Sequence, residues 1–114
     1  MFPLEHQDKF LRLRALFVAT LPTREAEIED MVNVLVEKGP SRKVFEELFT
    51  AAHKLAGVSA TYGMATLGHR AEEAEALIDG ARKARPDDES FYKILAATDE
   101  LTEELRRASH PGVA

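Results

Sequence analysis

Apolar residues return every three or four positions from residue 4 to residue 108, and no stretch alternates apolar with polar for long. That period builds helices which bury one stripe, whereas a half-buried strand needs a period of two. No Asn-Gly or Asp-Gly pair offers a hairpin turn, so the chain is expected to be all-α. Its punctuation then sets the helices. Residues 4–19 place Phe10, Leu13 or Leu16, and Phe17 at helical spacing, and Leu21-Pro22 is expected to break the chain because proline disfavours helix in the residue before it. Pro22 can open a second helix at its first position, with Ile28, Met31, Val32, Leu35 and Val36 inward and a stop at Gly39-Pro40. Ser41 suits the N-cap of a third, running to about Tyr62. A fourth carries Met64, Leu67, Ala71, Ala74 and Ile78 as far as Gly80. A fifth opens on Asp87-Asp88-Glu89 and closes on Arg106-Arg107, charges that suit the helix dipole. Along it Phe91, Ile94, Leu95, Thr98, Leu101, Leu105 and Ala108 form a seam. Short connections make consecutive helices antiparallel, so the expected architecture is an up-down four-helix bundle with an additional N-terminal helix.

Composition narrows what such a bundle can do. With 114 residues the chain suits one domain, 1–114, with a core from about 10 to 108 and a frayed tail at 109–114. The absence of cysteine excludes disulfides and thiolate metal sites. A net charge of −5 with scattered basic residues argues against nucleic acid as a partner. No apolar run approaches the roughly 20 residues that span a bilayer, and the first residues lack a signal-peptide pattern, so no membrane association is expected and the expected location is the cytoplasm. Met1 and the short tails favour a free-standing chain over a piece of a larger kinase.

One stretch stands out, residues 52–64. On a helix over residues 41–62, Val44, Leu48, Ala51, Leu55, Val58 and Tyr62 fall within about 80° of one another at 100° per residue. His53 lies about 160° from the middle of that stripe and should face solvent. Phe49 and Ala60 share its face and Gly57 follows one turn on. Glycine inside a helix costs about 1 kcal/mol against alanine, so its place beside an exposed imidazole suggests that room is being left. Phe49, Ala56 and Ala60 would offer a small apolar surface for docking. An imidazole, largely neutral at pH 7, has a ring nitrogen able to attack phosphorus.

The string His53-x-Leu55-x-Gly57, followed by Gly63 and Leu67, resembles the histidine-containing phosphotransfer (HPt) domain of two-component phosphorelays, and the resemblance spans roughly residues 10–105. It implies that His53 accepts a phosphoryl group from an aspartyl-phosphate of a response-regulator receiver domain and passes it to another receiver, without kinase activity of its own. It implies no cofactor of the domain's own, the receiver supplying Mg²⁺, and names a hybrid sensor histidine kinase as a further partner. Many members carry Lys or Arg three residues after the histidine, where this chain has Ala56. Lys54 follows the histidine directly, about 100° round the helix, and is the cation considered in its place. Members often hold the imidazole with a polar residue of the following helix. Glu75, about 40° from the centre of that helix's apolar stripe, is the candidate here, and would accept from Nδ1–H and leave Nε2 free.

Other readings stay beside these. Glu75 could instead ride the helix flank and pair with an arginine or with water. Phe45 and Phe49 could both be core, which would rotate the helix and remove the docking patch. His69 and Glu73 form an i, i+4 pair that reads as a surface ion pair before a metal pair. The Glu-x-x-His spacing of bundle di-iron sites is absent, with Thr50 and Thr66 at the required positions, and no metal is expected. The alternative function is a non-catalytic helical module that binds a receiver or kinase without passing phosphate, motivated by Ala56.

Overall fold

The computed structural model describes residues 4–110, in four helices: α1 (Leu4–Lys38), α2 (Arg42–Thr61), α3 (Ala65–Lys83) and α4 (Asp88–Ala108). The sequence-based helix starts for α2 and α4 hold, and each is capped as its residues allow. Ser41 Oγ accepts from Val44 N–H at 3.4 Å, and the Asp87 carboxylate from Ser90 N–H at 2.8 Å. Gly39 and Gly63 sit at φ +84° and +69°, the left-handed conformation in which L side chains are strained, and both turn the chain out of a helix. Ser109 and His110 still hydrogen-bond back to Leu105 and Arg107. The rest of the expected frayed tail, 111–114, lies outside the described residues.

The additional N-terminal helix does not exist as a separate element. Residues 4–38 form one helix with Pro22 inside it. Proline removes a backbone donor and crowds the preceding turn, at a cost of about 3 kcal/mol. Phe17, Leu21, Ile28 and Leu35 nevertheless make one buried stripe across it, with Leu21 fully buried. Each such side chain contributes about 1.5–3 kcal/mol on burial, so together they outweigh the proline, and a break at Leu21 would take half of them off the seam. The ring itself is on the exposed side, where water can reach the carbonyl it leaves unpaired. Pro22→Ala is therefore expected to stabilise the protein by about 1–2 kcal/mol, part of the intrinsic gain being offset by a more flexible unfolded chain. A lower melting temperature for the alanine variant would contradict the continuous helix.

Two further expectations shift. Leu13, Leu16 and Val36, expected inward, are exposed. The third helix of the bundle continues through Gly80 to Lys83, its last turn fastened where Arg82 and Lys83 both reach Asp79. These two cations hold the Asp79 carboxyl below its ordinary range, Lys83 having the larger effect.

Around the bundle α2 packs on α3, α3 on α4, α4 on α1 and α1 on α2. With its short connections this is the antiparallel up-down arrangement. The long dimension, 51 Å, is close to the length of α1 at 1.5 Å per residue. Tyr62 ties the end of α2 to α1, its ring 5.5 and 5.6 Å from those of Phe10 and Phe17 and its carbonyl accepting from Arg14 Nε at 3.1 Å.

Candidate functional site

The buried stripe of α2 is Val44, Phe45, Leu48, Ala52, Leu55 and Ser59. It is turned about 50° from the stripe read in the sequence, by the 100° count. Ala51, Val58 and Tyr62 are only half-buried. Small residues cause the turn. Ala52 and Ser59 let α3 approach closely, and a Cβ on Gly68 would stand 3.6 Å from that of Ser59. On the other side Phe45 is buried with its ring edge-on to Phe91 at 6.4 Å.

The rotation carries His53 from the outermost line of α2 toward α3 without burying it; its side chain is 69 % exposed. There Nδ1 lies 2.6 Å from Oε1 of Glu75, whose side chain is 24 % exposed. A carboxylate can only accept, so in the neutral ring Nδ1 carries the proton and Nε2 presents a lone pair. This is the arrangement that orients an imidazole for chemistry at its second nitrogen.

The surroundings differ on each side of the ring. One turn before it, Phe49 is half-buried and lies nearly parallel to the imidazole, 8° between planes and 5.9 Å between centroids. The Arg82 guanidinium sits 3.7 Å from the centroid of that phenyl ring, a cation–π contact, and is itself held by Asp79 and Glu46. Phe49 is thus partly covered, less open than a face pointing straight at solvent would make it.

Beyond the histidine the surface is made of small residues. Gly57 and Ala60 are exposed and Ala56 half-buried. Ala56 and Ala60 line a groove of about 210 Å³ between α2 and α3, with Gly68, His69 and Glu72 on its far wall. A Cβ added to Gly57 meets nothing within 4 Å. Gly57→Ala is accordingly expected to raise stability by about 0.5–1 kcal/mol, read from thermal or urea unfolding. A loss of stability would mean that the space beside the ring is filled and not open.

Lys54 lies on the opposite flank, lining the α1–α2 groove with Arg24, Glu27 and Glu47. Glu73 pairs with Arg70 at 3.4 Å, and no ion pair joins it to His69 among the described residues. No group of three or more metal-ligating side chains occurs among the described residues, and no helix there is long and apolar enough to cross a membrane. Arg82 is the residue the sequence reading missed. Its signal was the Asp79 to Lys83 spacing, which supports one more helical turn past Gly80 and puts Arg82 two turns beyond Glu75.

Among known families the chain matches the Hpt domain. The model of the Hpt domain covers residues 12–110, nearly the whole chain. The searches of curated proteins and of solved structures each found no match.

Proposed function

This chain belongs to the Hpt domain family, the histidine-phosphotransfer modules of two-component systems, and on that premise we propose that His53 is its phosphoacceptor, relaying a phosphoryl group between aspartates of receiver domains. The observation that carries the reading is an exposed imidazole whose Nδ1 is held by Glu75 at 2.6 Å while the space beside it, at Gly57, is open. Nε2 attacks the phosphorus of an aspartyl-phosphate. The P–N bond forms as the P–O bond to the aspartyl carboxylate breaks, and the electron pair leaves with that carboxylate. The Nδ1 proton stays between the ring and Glu75, so the carboxylate offsets the positive charge that the ring acquires. Transfer onward is the same step reversed on a second aspartate.

Such chemistry asks a protein mainly for in-line placement and charge neutralisation. In this reading the receiver brings the Mg²⁺ and most of the positive charge, consistent with Ala56 one turn from the histidine and with Lys54 on the α1 side. Phe49, Ala56 and Ala60 form the apolar part of the docking surface, around Gly57. The proposed setting is the cytoplasm, with a hybrid sensor kinase as a further source of phosphoryl groups.

The test is direct. A receiver domain carrying labelled phosphate is mixed with the protein, and the label should move to the chain in an acid-labile, alkali-stable bond. Binding without any transfer of label would instead favour the non-catalytic interaction module, for which the absent cation at Ala56 is the motivating feature.

A further inference from the structure

Cations are distributed unevenly over this acidic chain. Where α1 turns into α2 and α3 into α4, a groove of about 290 Å³ is lined by Arg42, Arg82, Lys83 and Arg85 and by no carboxylate. Arg82 and Lys83 are held by Asp79 and Glu46. Arg42 and Arg85 have no ion-pair partner among the described residues, and neither do Lys38 and Lys43 beside them. Most acids at this end are already engaged: besides Asp79 and Glu46, Asp87 caps α4 and Glu89 pairs with Lys93 at 3.3 Å.

The groove is continuous with the His53 site through Arg82, which lies over Phe49, which in turn stacks on the imidazole. Arg42 precedes His53 by eleven residues on α2, about 16 Å along the axis. A standard interface of about 800 Å² per partner, centred on His53, has a radius of about 16 Å. Arg42 therefore falls on the rim of any partner that covers the histidine, and Arg85 lines the same groove.

We propose that this rim docks an acidic protein face, that of the domain exchanging phosphoryl groups with His53. The inference rests on the function proposed above and adds the electrostatic half of the docking surface to it. A phosphorylated aspartate beside carboxylates that hold a divalent cation makes such a face acidic, while the net charge of −5 on this chain would repel it. The rim supplies the attraction, and the net repulsion elsewhere helps to select the docking orientation. Rim charges act on the rate of encounter and its salt dependence, and leave the chemical step alone.

The experiment compares phosphoryl transfer from a phosphorylated receiver to the wild type, to an Arg42→Glu/Arg85→Glu double variant and to a Lys9→Glu/Arg12→Glu control on the far part of α1. Arg42 and Arg85 are exposed, and circular dichroism melts verify that the variants fold. At an ionic strength of about 0.01 M, where charges act over about 30 Å, the double variant's second-order rate constant should fall on the order of tenfold below both others. At about 1 M salt the three should converge. Equal rates at low salt, or a deficit that persists at high salt, overturn the rim. So does inorganic phosphate that inhibits the wild type and spares the double variant, since the groove would then be a small-anion site. If the wild type accepts no label, the functional reading fails instead. The rim is then judged by receiver binding alone, with the same salt-dependent difference required.

Discussion

His53→Gln is expected to accept no phosphoryl group from a phosphorylated receiver, a loss on the order of 10³ or more in rate, while folding as the wild type does. The amide of glutamine has no lone pair basic enough to attack phosphorus, and removing a nucleophile leaves only the contribution of positioning. The fold should be indifferent, because the imidazole is mostly exposed and its contacts are one hydrogen bond and one offset stack. Glutamine is also the slightly better helix former, so the change in unfolding free energy should stay within about 0.5 kcal/mol. The check pairs a labelled-transfer time course with a thermal melt. Transfer to the variant at wild-type rate would move the acceptor to another residue.

Glu75→Ala should slow acceptance by about 10- to 100-fold, the usual range for the loss of a group that orients a functional histidine. Without the carboxylate the ring can turn about its side-chain torsions, and Nδ1 no longer has a fixed acceptor. The ring charge that develops as the P–N bond forms also goes uncompensated. Glu75→Gln keeps an acceptor oxygen but not the charge, so its rate should fall between the other two. A purely structural role would be silent in the ring's ¹⁵N shifts. The account requires the Nδ1–H tautomer to dominate in the wild type and the Nε2–H tautomer to gain in Glu75→Ala. Unchanged shifts together with an unchanged rate would reduce the 2.6 Å contact to an incidental surface pair.

The parts of this structure legible in the sequence are those set by local rules. Ser41 was readable as a cap because a short oxygen side chain ahead of an apolar period has one favourable use, Asp87 as the opening of a helix because acidic residues there suit its dipole, and Gly39 as a stop because only glycine turns left-handed without strain. The outward placement of His53 followed from the helical period, and the partnership with Glu75 was one of two readings left open. What was not legible depends on neighbours far along the chain. Pro22 reads as a break until Leu21 and Ile28 are seen buried in one stripe on either side of it. The tilt of α2 about its axis was set by the small residues Ala52, Ser59 and Gly68, which carry little hydrophobic weight in a sequence but permit close approach in space. That same tilt moved His53 onto the α3 flank and tucked Phe49 under Arg82. Arg82 was missed because the helix bearing it was read as ending at Gly80, although the Asp79 to Lys83 spacing supports a further turn.

The central claim is that Nε2 of His53 carries the phosphoryl group while Nδ1 remains with Glu75. Phosphorus and nitrogen NMR of the ¹⁵N-labelled protein, recorded after phosphorylation by a receiver, tests it most directly. The predicted spectrum shows one phosphohistidine, at position 53, with the phosphorus coupled to Nε2 and a proton on Nδ1. Phosphorus bonded to Nδ1, or to His6, His69 or His110 in place of His53, would contradict the account.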